Sequence, residues 1–188
     1  MDSTFMTVVA RGLAGRGLRV ARFEFPYMAG RRQGGGRGAP DPPRLLEATW
    51  LEAIAALGGG RDLVIGGKSM GGRIASQVAD RAGVRGLVCM GYPFHPPGQP
   101  HKLRTAHLAE LRTPTLILQG TRDDFGRPDE VAGYALSAAI RIEWIADGDH
   151  SFKPTKGSGR SERQNVERAI EQAADFARTL PAPQAPTS

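Results

Sequence analysis

The stretch Arg61–Ala82, R-D-L-V-I-G-G-K-S-M-G-G-R-I-A-S-Q-V-A-D-R-A, constrains this chain more than any other. Leu63, Val64 and Ile65 form a short continuous apolar run, the pattern of a parallel strand buried on both faces. Arg73 to Ala82 carries Ile74, Val78 and Ala82 on one helical face. Between the two, Gly67-Lys68-Ser69-Met70-Gly71 matches G-x-S-x-G. A serine in that setting tops a strained strand-to-helix turn, with glycine two positions to either side because a Cβ there would clash. The turn lifts the hydroxyl above the sheet and aims the next amide, that of Met70, at the place where an oxyanion would form. Lys68, on the other flank of the serine, joins Met70 among the expected oxyanion and substrate-binding residues. Gly67-Lys68-Ser69 also matches the end of a phosphate-binding P-loop. That motif needs glycine at position 62, which is Asp62, and a flexible loop where 63–65 form a strand, so it is excluded.

The rest of the chain alternates strand and helix patterns. Thr4 to Arg16 carries Phe5, Val8, Val9 and Leu13 on a helical face, ended by Gly15 and Gly17. Leu18 to Phe25 reads as a strand. Pro26 to Pro43 reads as a loop, its glycine- and arginine-rich run a surface linker or a basic ligand-binding loop. Asp41 and Pro42 are the expected cap and first-turn proline of a helix that Gly58 stops. Further strands are expected at 86–91, 115–119 and 141–146, with a helix over 128–139 between the last two. Ser161-x-x-Gln164 is a capping box opening a final helix to about Leu180. The expected organisation is one domain over 1–180, with a disordered tail at 181–188. Strands alternating with helices imply an α/β fold on a mostly parallel sheet.

Composition serves mainly to exclude. A chain of 188 residues suffices for one well-buried domain. Its net charge of +6 comes from 21 arginines against 4 lysines, which are scattered, and aromatics for base stacking make up 6%. A nucleic-acid partner is therefore not expected. Cys89 is the single cysteine and sits in an apolar run, so no internal disulfide is possible and secretion is not indicated. No apolar run approaches the roughly 20 residues of a membrane span, and the expected location is the cytoplasm.

A serine nucleophile needs a base, and the base an acid to fix its tautomer. Functional groups of doubly wound sheets gather at the carboxyl ends of the strands. After Ser69, the strand at 115–119 runs into Gly120-Thr121-Arg122-Asp123-Asp124, and the strand at 141–146 into Asp147-Gly148-Asp149-His150. The order serine, aspartate, histidine follows, with Asp123 preferred as acid, Asp124 its alternate, and His150 the base. His95 also follows a strand end but precedes the acid, so it is read as pocket-lining or structural. His101 and His107 have no strand end to position them.

Five segments carry a resemblance: R-F-E-F-P-Y-M at 22–28, G-G-K-S-M-G-G at 66–72, G-Y-P-F-H-P-P-G at 91–98, Q-G-T-R-D-D-F-G at 119–126 and D-H-S-F-K-P at 149–154. The chain resembles the KANL3/Tex30-like branch of the α/β hydrolases, distantly related to dienelactone hydrolases. The resemblance implies Ser69 as nucleophile, Asp123 as acid and His150 as base. An ester-like substrate is expected, with neither metal nor organic cofactor, and a small one, because no long insertion that could form a cap separates the strands at 86–91 and 115–119. Relatives that serve as scaffold subunits imply a second possibility, an inactive interaction protein. Family members usually carry earlier strands and a glycine-rich oxyanion loop ahead of the segment matching Met1-Asp2-Ser3. The fold is accordingly expected to lack its N-terminal strands, with the natural start upstream of Met1.

Overall fold

A computed structural model describes residues 4–32 and 39–181, and the backbone alone at Arg32. Met1–Ser3, most of the glycine-rich run and all of the expected tail beyond Pro181 lie outside the described residues. The described elements run α1 (Thr4–Ala14), α2 (Pro26–Arg32), α3 (Pro43–Ala56), β1 (Val64–Lys68), α4 (Met70–Ala82) and β2 (Gly86–Met90). A 3₁₀ turn (Ala106–Ala109), β3 (Thr115–Gly120), α5 (Pro128–Val131), β4 (Ile140–Ile145) and α6 (Glu162–Thr179) follow.

The four strands form one parallel sheet in chain order, β1-β2-β3-β4. Every residue of β2 and β3 is buried. Alternation divides their side chains between two layers. Leu87, Cys89 and Ile117 face α3 and α4, where they meet Trp50, Ile54, Ile74 and Val78. Val88, Met90, Leu116 and Leu118 face α1 and α6, where they meet Val9, Val166 and Ile170. On α6 the buried Val166, Ala169, Ile170, Ala173 and Ala177 recur at helical spacing, and the helix opens on the Ser161–Gln164 capping box. α1 lies close against it, since a Cβ on Gly12 would come within 2.7 Å of Ile170 Cδ1. No helix among the described residues is long and apolar enough to cross a membrane.

Several expectations are corrected. Residues 18–25 do not form a strand, because none of the described strands pairs with them. Phe23 and Phe25 instead lie edge-on to one another, and Phe23 meets the Trp50 ring at 4.6 Å. The segment read as a loop begins with α2, and Asp41 caps that helix rather than α3: its Oδ2 accepts from Tyr27 N at 2.9 Å. α3 begins at Pro43, with Pro42 in the cap position. The helix expected over 128–139 stops at Val131. Beyond it Ser137 N donates to Leu108 O, and Ser137 Oγ accepts from Ala139 N, pairings that compete with a helix. β1 reaches Lys68 rather than ending at Ile65, and α4 begins at Met70 rather than Arg73, so the turn between them is a single residue, Ser69.

Candidate active site

Ser69 occupies that one-residue turn with φ 52° and ψ −121°, a left-handed conformation costly for a side-chain-bearing residue. Its amide donates to Met90 O at 2.9 Å, tying the turn to the end of β2, and its carbonyl accepts from Arg73 N at 3.0 Å. A Cβ on Gly67 would stand 2.8 Å from the Gly71 carbonyl carbon and the Gly72 nitrogen. Gly72 is equally confined, 2.7 Å from Gly67 O and 3.3 Å from Cys89 Sγ. Gly71, by contrast, has open space where a Cβ would lie. The close approach of helix to strand therefore rests on Gly67 and Gly72, not on the motif's second glycine. Met70 is the first residue of α4, so its N–H is one of the donors with no partner inside the helix.

The other two groups arrive from the ends of β3 and β4. His150 Nε2 lies 2.9 Å from Ser69 Oγ, and His150 Nδ1 lies 2.9 and 3.1 Å from the two oxygens of Asp123. A carboxylate only accepts, so Nδ1 carries the proton and Nε2 presents its lone pair to the serine hydroxyl. Asp123 has no exposed side-chain surface, whereas His150 retains 25%. Asp124 is turned outward, paired with Arg127. The Phe125 ring packs on the imidazole at a centroid distance of 4.2 Å.

Residues that the sequence left without a role, together with Lys68, hold these groups in register. Gln119, fully buried at the end of β3, donates from Nε2 to Asp123 Oδ2 at 2.9 Å. The same amide bridges Tyr92, accepting from its N at 2.7 Å and donating to its O at 3.2 Å. Phe125 N donates to the other carboxylate oxygen at 3.0 Å. The His150 loop is fixed from within by Asp149, whose Oδ1 accepts from Ser151 N and Lys153 N. From α6, buried Asn165 donates to Ala146 O and Phe152 O. Lys68 Nζ donates to His150 O at 2.7 Å, and burial lowers its pKa while Asp123 and Asp149 oppose that shift. The sequence traces of Gln119 are its place at a strand end before the Asp123 turn and its position at the head of the segment 119–126. Asn165 gave no signal, because its partners are distant carbonyls.

His95 is 2% exposed and does not touch the Ser69–His150–Asp123 chain: Nδ1 meets Pro96 O at 2.9 Å, and Nε2 faces Glu130. His107 is part of a separate cluster, its Nε2 2.8 Å from Ser76 Oγ and 3.4 Å from Tyr92 OH. Burial, with Arg73 nearby, lowers the His107 pKa. Burial raises the Cys89 thiol's pKa, so this residue is an inert part of the core.

The family model described as an alpha/beta hydrolase domain matches residues 1–178. Among solved structures, the esterase domain of a Rhodothermus marinus protein superimposes with a TM-score of 0.64 at 16% identity, covering 96% of this chain and 82% of that one. A candidate hydrolase of the alpha/beta superfamily from Xanthomonas campestris gives 0.63 at 26% identity, covering 95% and 92%. A second Xanthomonas campestris protein, described as an α/β serine hydrolase without a lid, gives 0.62 at 20% identity, covering 97% and 76%.

Proposed function

The chain belongs to the alpha/beta hydrolase domain family, and from that premise we propose that it is a serine hydrolase acting on an ester or related acyl bond. The observation that carries this reading is the continuous hydrogen-bonded series Ser69–His150–Asp123, assembled from three strand ends. His150 Nε2 takes the hydroxyl proton as Ser69 Oγ attacks the substrate carbonyl carbon. Asp123 holds the ring in the required tautomer and stabilises the imidazolium that forms. The oxyanion of the tetrahedral intermediate accepts from Met70 N–H. Collapse breaks the bond to the leaving alcohol, which takes the proton from Nε2. Water then repeats the sequence on the acyl-enzyme, releasing the acid and restoring Ser69.

The finer placement in the KANL3/Tex30-like branch is part of the same reading and rests on the five segments quoted above. Lys68, in this scheme, acts through the His150 loop as a positioning residue. A small substrate fits best, since the segment joining β2 to β3 contributes one 3₁₀ turn rather than a helical cap. The lidless Xanthomonas campestris structure is similar in this respect. The test is labelling with a fluorophosphonate probe. Wild type is expected to label, with the rate falling about 10⁴-fold or more in Ser69→Ala and His150→Ala. A folded wild type that does not label would sink the hydrolase reading and favour an interaction protein built on the same scaffold.

A further inference from the structure

Beside the serine site, on the far side of Phe125, an open cavity of about 440 Å³ is lined by His95, residues of the segment 97–100 and the charged Asp124, Arg127, Asp129 and Glu130. It adjoins the site through one residue. His95 N donates to Phe125 O at 3.3 Å, and the Phe125 ring packs on His150. His95 is the unusual group here, for its side chain is buried at 2% exposure and yet Nε2 has no hydrogen-bond partner.

The chemistry of that nitrogen follows from its neighbours. The Pro96 carbonyl can only accept, so the 2.9 Å contact makes Nδ1 the protonated nitrogen. In the neutral ring Nε2 then presents a lone pair. It faces Glu130 Oε2 at 3.5 Å, which is another acceptor. Glu130 Oε2 already receives Arg127 N at 2.8 Å, a contact that orients the carboxylate. With the ring neutral, two acceptors thus stand opposite one another beside the cavity, with no hydrogen bond between them. The surrounding charge has the same sense. Asp124, Asp129 and Glu130 face the cavity, and the single guanidinium, that of Arg127, is engaged by Asp124.

We propose that this cavity binds a primary ammonium group, which donates to His95 Nε2 and Glu130 Oε2 together while the carboxylates balance its charge. A primary ammonium supplies three donors on one cation. A quaternary ammonium supplies the charge without the donors, and an alcohol supplies a donor without the charge. The three probes therefore separate the contributions.

The measurement is histidine-ring ¹H–¹³C NMR of the full chain, titrated at fixed ionic strength with n-butylammonium, tetramethylammonium or n-butanol. The His95 ring is expected to shift saturably with n-butylammonium only. Glu130→Gln should weaken that binding about tenfold, and its side-chain oxygen still accepts from Arg127 N, so the local fold is kept. No His95 response, or an equal response to tetramethylammonium, would overturn the proposal. So would a ring with protons on both nitrogens that ignores the amine. None of these readouts needs turnover, so they fail or succeed independently of the serine hydrolase reading.

One further arm does rest on that reading. It compares 4-nitrophenyl 6-aminohexanoate with its isostere 4-nitrophenyl heptanoate. A higher kcat/KM for the amino ester, lost in Glu130→Gln, assigns the ammonium to the substrate's tail. Equal rates with the NMR response intact assign it to a separate amine ligand.

Discussion

Residues 18–25 and the strands β2 and β3 have comparable sequence signals, yet only the latter form strands. Val20, Phe23 and Phe25 are a run of good strand formers, but Val20 is 40% exposed and the segment joins no sheet. Leu87–Met90 and Leu116–Leu118 are buried on both faces and bonded to a neighbour on both edges. A strand is a property of a pair, because its amides and carbonyls point sideways and need a partner chain. The site exploits this difference. Ser69, Asp123 and His150 all leave from β1, β3 and β4, which lie in one continuous ladder, so three loops distant in sequence inherit a common register.

The largest contrast is expected in native-state hydrogen exchange. Amides of Leu87–Met90 and Leu116–Leu118 should open only with global unfolding, whereas those of Val20 and Phe23 should exchange at least about 10³-fold faster. Equal protection in the two regions would show that 18–25 is paired in solution and would restore the strand expected from its sequence.

A smaller but more functional effect is expected where the well-packed half supports His150, the proposed base. Asn165→Ala would leave the buried Phe152 carbonyl, and the part-buried Ala146 carbonyl, without their donor. The cost is about 1–3 kcal/mol, read as a lower urea midpoint. Because those carbonyls flank the His150 loop, fluorophosphonate labelling should also slow by about 10- to 100-fold. Reduced stability with labelling at the wild-type rate would mean that Asn165 supports the fold but does not position His150.

These particular residues also mark how much was legible in advance. The α/β alternation, the apolar runs of β2 and β3 and the Ser161–Gln164 box are local patterns, and local patterns survive in the sequence. So do the serine turn and the strand-end positions of Asp123 and His150, since the topology itself requires them. What could not be read depends on partners far along the chain. Asp41 caps a helix 14 residues upstream. Gln119 ties Asp123 to Tyr92, and Asn165 reaches from α6 to the loop after β4. The helix expected over 128–139 failed for the same reason: Ser137 pairs with Leu108, which the sequence pattern of that stretch does not contain.

The smallest effect tests the same principle within five residues. The serine motif treats Gly67 and Gly71 as equivalent, each needed for want of space. Their neighbours differ. A Cβ on Gly67 meets the α4 backbone at 2.8 Å, so Gly67→Ala must move the helix or the strand, at roughly 1–3 kcal/mol. A Cβ on Gly71 meets nothing, and Gly71 lies in the first turn of α4 with ordinary negative φ. There alanine relieves the conformational entropy that glycine loses in a helix, so Gly71→Ala should leave the urea midpoint unchanged or raise it by up to about 1 kcal/mol. Labelling of Ser69 by a small fluorophosphonate in Gly71→Ala then reports whether the motif's second glycine is kept for the chain or for what approaches the serine. Wild-type stability with slowed labelling would assign Gly71 to substrate clearance. A loss of stability matching that of Gly67→Ala would show instead that the turn is confined on both sides, and that the open space beside Gly71 closes in solution.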